Sequence, residues 1–331
     1  MTAKQVYRIG TRKSRLAQIQ TDGVIARLQA AFPTKQFEKV LMETRGDLDR
    51  TTDLVQMGGQ GVFVKAIQEA LLAGEIDMAV HSAKDLPSVE PAGLVLGAFP
   101  ERQPVGDSLI LRSPFTSLAA LPTGAVVGTS SRRRRFQLAA VRPDLRLEPL
   151  RGNIDTRLEK LTSGQYDAIV MAQAGIRRYG LPIKEQGLTE FQLPVAEFLP
   201  AVGQGAIAVE CRAESQEEEL LRVLDDPAVR LAVTCERAFL AVFGLGCNVP
   251  LAGYARLTSA AADSAAADTK SRTAAVAASE PQLLFTGQLG NEADGTELLA
   301  EAGSPATVTA AAALGIRVAE QIRAQATFLP E

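Results

Sequence analysis

Three kinds of side chain in this sequence could carry chemistry. The stretch GTSSRRRRFQ, residues 128–137, sets Arg132, Arg133, Arg134 and Arg135 in a row within a chain of net charge -3. Adjacent guanidiniums repel one another unless water or an anion lies among them, and Arg favours planar, two-pronged contacts with carboxylate or phosphate. Between Arg132 and Arg178 ten arginines and one lysine stand against five acids, a local surplus of +6. Asp85, in HSAKDLPS, is a lone carboxylate amid many cations. Nearby positive charge keeps such a group ionised, fit to stabilise a cation or to pass a proton to a leaving amine. A helix cap or a salt bridge to Lys84 is the competing reading. Cys247, in FGLGCNVPLAGY, sits in a loop shaped by Gly and Pro that could present a thiolate. Cys211 and Cys235 lie in apolar segments and read as ordinary buried thiols.

The elements that must position these groups follow from the apolar pattern. VYRIG, FEKVLME and IDMAVHS read as strands; SRLAQIQTDGVIARLQAAF and VKAIQEALLAG read as helices, the second closed by Gly74. Near ERQPVGD, residues 101–107, the chain turns polar and crosses into a second α/β unit. There AVVGTSS, LRLEPLRGN and DAIVMAQAG are strand-to-turn segments, each followed by a helix that carries Arg early. LPAVGQGAIAVECR, residues 199–212, reads as a return crossing and a further strand, and a third unit starts after DDPAVR. Alternating strands and helices indicate open α/β sheets, which bind ligands beyond the carboxyl ends of their strands. Thr11, Arg12 and Ser14, Ser82, Lys84 and Asp85, Thr129 to Arg135, Arg151 to Asn153, and Arg177 with Arg178 all fall at such ends. Neighbours on a helix diverge by ~100°, so one or two arginines of the run face the cleft and the rest face solvent. Residues 257–279, rich in Ala, Ser and Thr, read as an exposed insertion.

Composition bounds the answer. The 331 residues, 46% hydrophobic and 22% charged, suffice for two or three domains. The acidic balance and the lack of aromatic residues among the arginines disfavour a nucleic-acid binder. One histidine, His81, excludes a multi-His metal site and the usual Ser-His-Asp triad unless it serves itself. At the end of an apolar strand it reads as a hydrogen-bonded structural residue. Three cysteines without CxxC spacing fit a reducing compartment, and MTAKQVYRIG carries no signal peptide. No apolar run approaches the ~20 residues of a membrane span.

Taken together, IGTRKSRLA, ETRGD, GGQGVFVK, AVHSAKDLP, VGTSSRRRRFQLA, LRGNIDTRL, AGIRRYG, LPAVGQGAIAVECR and ERAFLAVFGLGCNVP resemble, in order, the motifs of the hydroxymethylbilane synthase (porphobilinogen deaminase) family. The resemblance runs from near residue 9 to residue 250. It implies a transferase that joins four porphobilinogen molecules head to tail, releasing ammonia, to give a linear tetrapyrrole for the next enzyme of the route to haem or chlorophyll. It implies a dipyrromethane cofactor on a thioether to Cys247. Asp85 matches the catalytic aspartate, expected to assist ammonia loss and to stabilise the azafulvene cation that follows. Lys84, Thr129, Ser131, Arg133, Arg134 and Arg157 match cofactor contacts; Arg12, Ser14, Arg151 and Arg178 match residues of the substrate side. The acetate and propionate groups of each pyrrole are what the arginines would bind.

The family fold is α/β in three domains. The first two resemble a type II periplasmic binding protein around a cleft, and a smaller α/β (α+β) third carries the cofactor cysteine. The expected division is 1–101 plus 203–223, 106–199, and 226–331 with the cofactor loop near 243–250. A monomer is expected, without metal, membrane or nucleic-acid partner, in the cytoplasm, or in the plastid stroma for a plant or alga. Gln56 and Gln60 replace lysines frequent in the family, Arg132 a usual leucine, and Leu245 a frequent glycine. Two other readings are kept. A non-enzymatic two-lobed anion-binding protein shares the fold but gives no role to Asp85 or the GLGCNVP loop. A nucleic-acid binder using the arginine run would show steep salt dependence.

Overall fold

The computed structural model describes residues 4–43, 64–244, 249–258 and 281–329. The first sheet has the order β2-β1-β3-β10-β4 and the second β7-β6-β8-β5-β9. Their strands are β1 (Val6–Arg12), β2 (Gln36–Met42), β3 (Met78–Ser82), β4 (Leu94–Ala98), β5 (Asp107–Arg112), β6 (Val126–Gly128), β7 (Arg146–Glu148), β8 (Ala168–Ala172), β9 (Leu188–Gln192) and β10 (Ile207–Arg212). The two sheets repeat one plan. In each, one strand runs antiparallel to its neighbours: β10 between β3 and β4, and β5 between β8 and β9. These two are the strands that follow the two crossings. Because they run backwards, their first residues lie at the carboxyl ends of the parallel strands, Ile207 opposite Ser82 and Asp107 opposite Ala172.

Helices α1 (Arg15–Ala31), α2 (Lys65–Leu72), α3 (Arg132–Val141), α4 (Ile154–Thr162), α5 (Gln173–Tyr179) and α6 (Gln216–Leu221) flank these sheets. The starts of three are set by polar side chains that accept the otherwise orphaned first-turn N–H groups: Ser14 from Ala17, Ser131 from Arg134 and Asn153 from Thr156. β3 and β8 are apolar and buried along nearly their whole length, as parallel strands covered on both faces must be. Tyr7, Val24, Leu28 and Leu221 close one face of the first sheet, while Leu138 and Leu158 sit in the two clusters of the second.

The third unit packs α7 (Pro227–Phe243) and α8 (Val308–Arg323) on an antiparallel sheet of β11 (Leu251–Thr258), β12 (Gln282–Gly290) and β13 (Glu297–Pro305). The helices approach so closely that a Cβ on Gly315 would lie 2.1 Å from the Cys235 carbonyl oxygen. The three-unit α/β architecture expected from the sequence is borne out.

The two crossings run side by side. Arg102 and Ala206 form a β-bridge, and the Gln103 N–H donates to Gly205 O at 3.0 Å. Glu236 of α7, fully buried, accepts from both Arg102 Nη atoms at 2.8 and 3.0 Å, from the Gly203 N–H at 2.7 Å and from the Ala255 N–H at 3.0 Å. One carboxylate thereby ties both crossings to the third sheet.

Candidate functional site

Asp85 ends a single 3-10 turn, Ala83–Asp85, that follows β3. The turn is seated on the return crossing: the Ala83 N–H donates to Ala206 O at 3.0 Å. Gly203, at φ +72°, lets the backbones meet, since a Cβ there would sit 3.0 Å from Lys84 N. Asp85 is half-buried and lines a cleft pocket with Arg12, Ser14, Gln20 and His81. Among the described residues its carboxylate makes no hydrogen bond or salt bridge, so neither the cap nor the Lys84 pairing holds it; through space its charge favours the cationic forms of Lys84 and Arg157. A second pocket shares Leu16, Gln20 and Ser82 with the first and adds Lys84 and Arg178. The cleft thus brings together Arg12, Ser14, Lys84, Asp85 and Arg178, from elements of both lobes.

The arginine run divides as helical geometry requires. Arg133 and Arg134 are buried, Arg135 half-buried and Arg132 exposed, where it pairs with Glu292 at 3.2 Å. The run is therefore not one solvated basic face. Arg133 Nη2 and Arg134 Nη2 both donate to the Asp107 carboxylate, at 2.7 and 2.6 Å. Burial alone would raise the Asp107 carboxyl, but the two guanidiniums outweigh it and hold the group well below the usual carboxylate range. The Nε–H of each arginine is buried and has no acceptor among the described residues. A buried donor left unmatched costs about 1–3 kcal/mol, which a ligand acceptor would recover. This is the fit expected of a site for a carboxylate-bearing group.

Lys84 and Arg157 are shaped by the same field. Burial pushes the Lys84 ammonium down to about 8; Asp85 and Asp107 oppose that, and Arg134 and Arg133 add to it. Burial brings Arg157 to about 10, aided by Arg134 and opposed by Asp85. Arg178 is held at its buried end by Glu101 Oε1, 3.1 Å from Nη2, and by Gly205 O at 2.8 Å. Ser14 and Ser131 accept N–H groups as helix caps, and Thr129 Oγ1 accepts the Ser131 N–H at 3.3 Å. Thr129, Ser131, Arg133, Arg134, Arg151 and Arg157 line neither pocket. His81 Nε2 lies 3.1 Å from Glu210 Oε2, the hydrogen-bonded role expected of it, although its ring also borders the Asp85 pocket. Burial pushes the Cys211 thiol up to about 12 and raises Cys235, so both are inert as expected. Cys247, Leu245, Gln56, Gln60 and residues 259–280 lie outside the described residues.

Two residues at the centre escaped the sequence reading. Asp107 looked like part of a polar crossing, and Gln204 like a loop residue. Gln204 is 1% exposed; its Nε2 donates to Asp107 Oδ1 at 2.9 Å and its Oε1 accepts from Lys84 Nζ at 3.4 Å. The available signal was the pair of glycines around Gln204, which marks close backbone approach.

Comparison with known proteins gives a consistent result. Residues 7–220 match the family described as porphobilinogen deaminase, dipyromethane cofactor binding domain, and residues 230–324 match the porphobilinogen deaminase C-terminal domain. The chain is 52% identical over 255 residues to the porphobilinogen deaminase of Roseiflexus sp. (strain RS-1), covering 77% of this chain and 82% of the relative. It is 42% identical over 320 residues to that of Brevibacillus brevis, covering 96% and 94%. Among solved structures, the periplasmic aliphatic sulphonate binding protein SsuA from Escherichia coli aligns with a TM-score of 0.42 at 15% identity, over 72% of this chain and 71% of that one.

Proposed function

The chain belongs to the porphobilinogen deaminase family, enzymes of tetrapyrrole synthesis with a dipyrromethane cofactor, and we propose that it is a transferase joining four porphobilinogen molecules head to tail with loss of ammonia. The observation that carries this reading is the placement of Asp85 in a cleft whose other charged lining groups include Arg12, Lys84 and Arg178. When bound through Cys247, the dipyrromethane supplies the pyrrole carbon from which the chain grows. Arg133, Arg134, Arg157 and Lys84 would hold its carboxylates, with Thr129 and Ser131 beside them. Arg12, Ser14, Arg151 and Arg178 would bind the acetate and propionate of the incoming substrate. The Asp85 carboxyl group would hold the proton of the leaving amine and then face the cation that its departure creates. An anion-binding protein needs the arginines but has no use for this carboxylate.

The three sheets support dividing the chain into 1–101 with 203–223, 106–199, and 226–331. A cytoplasmic monomer remains part of the reading; among the described residues no helix is long and apolar enough to cross a membrane. The test is Asp85→Asn, which keeps shape and removes charge. The variant should retain the cofactor mass while ammonia release from porphobilinogen falls by at least about a hundredfold. Turnover at the parent rate would remove Asp85 from the mechanism.

A further inference from the structure

We propose that Asp107 is a positioning residue that presents Arg133 and Arg134 to the cofactor's carboxylates, an inference that rests on the reading above. Asp107 is 1% exposed and opens β5 at the carboxyl end of β8. Its two oxygens are divided between the arginines, Oδ2 to Arg133 Nη2 at 2.7 Å and Oδ1 to Arg134 Nη2 at 2.6 Å. The residue is itself braced from two directions: Gln204 Nε2 of the return crossing donates to Oδ1, and Gln173 Nε2 of α5 donates to its main-chain oxygen at 3.2 Å. The outer nitrogens are fixed too, Arg133 Nη1 on Leu199 O at 2.7 Å and Arg134 Nη1 on Val170 O at 3.2 Å. Each guanidinium therefore has both Nη atoms engaged by protein and keeps a buried Nε–H with no acceptor among the described residues. The symmetry has a consequence. Two adjacent cations share one resident anion, which holds them together against their repulsion. The remaining positive charge and the two Nε–H donors are left for a ligand carboxylate, one charge-assisted hydrogen bond from each arginine. Asp107 lines neither cleft pocket, and its hydrogen bonds reach the site through the two arginines.

The test follows adduct gain by intact mass when the full-length apoprotein is incubated with porphobilinogen. It uses four proteins: parent, Asp107→Asn, Arg134→Leu and the double variant. Asp107→Asn should gain the adduct at least about tenfold more slowly, the scale of one charged hydrogen bond. In the double variant the Asp107→Asn change should cost clearly less than it does alone, because Arg134, one of the two side chains it works through, is gone and only Arg133 is left to orient. A parent-like rate for Asp107→Asn, or losses that multiply, would overturn the assignment while leaving the function intact. Failure of the parent apoprotein itself to gain the adduct would sink both. If Asp107→Asn does not fold, Gln204→Met decides: it removes one brace without changing charge and should slow adduct gain about threefold or more, and a parent-like rate there would refute the proposal.

Discussion

At the residue scale the site is a balance of buried charge. Lys84 has an ordinary value of 10.5 and is pushed down to about 8, first by burial. The sign follows from linkage. The folded protein disfavours the charged ammonium, so Lys84 withdraws stability below pH about 8, and that penalty is relieved as pH rises from about 8 towards 10.5. Its neutralisation above pH about 8 also removes a cation from the cleft. Adduct gain by the apoprotein should therefore slow above that pH, and Lys84→Arg, whose guanidinium stays charged, should hold its rate across the same range. An identical decline in both proteins would assign the pH dependence to another group. Much of this was legible in the residues alone. Arginine at successive strand ends pointed to an anionic ligand, and the ~100° helical step told that part of the run must turn inward. What could not be read was the partner: nothing near Asp107 in sequence announces that Arg133 and Arg134, 26 and 27 residues on, will close upon it.

At the element scale the crossings decide the geometry. Local pattern identified β10 as a strand and passed over β5, and it carries no information on direction, because side chains alternate alike in parallel and antiparallel strands. Only the assembled sheets show that both run backwards and so deliver Asp107 and the 203–206 segment to the ligand end. Gly205 is the tightest point of this arrangement. It sits at φ +87°, and a Cβ would lie 2.3 Å from the Gln103 carbonyl oxygen, a backbone atom with little room to give. Gly205→Ala combines left-handed strain with this clash and should destabilise the fold by about 1–3 kcal/mol or more. Denaturant unfolding monitored by circular dichroism measures it, and an unchanged midpoint would mean the crossings can separate without cost.

At the scale of the whole molecule, three units meet on Glu236. Its carboxylate binds Arg102 of the first crossing, Gly203 of the second and Ala255 of the third sheet. Glu236→Gln leaves the Arg102 guanidinium buried without its counter-charge, and breaking such a pair costs about 3–5 kcal/mol. The loss should appear in urea unfolding; a variant as stable as the parent would show that the junction relaxes around an amide. α7, which carries Glu236, ends at Phe243, four residues before Cys247. Intact mass shows whether this junction and cleft serve a covalently held primer. The purified protein should exceed its polypeptide mass by two linked pyrrole units, and Cys247→Ser should not. A bare polypeptide mass for the parent that persists after incubation with porphobilinogen, or an adduct that survives in Cys247→Ser, would contradict it.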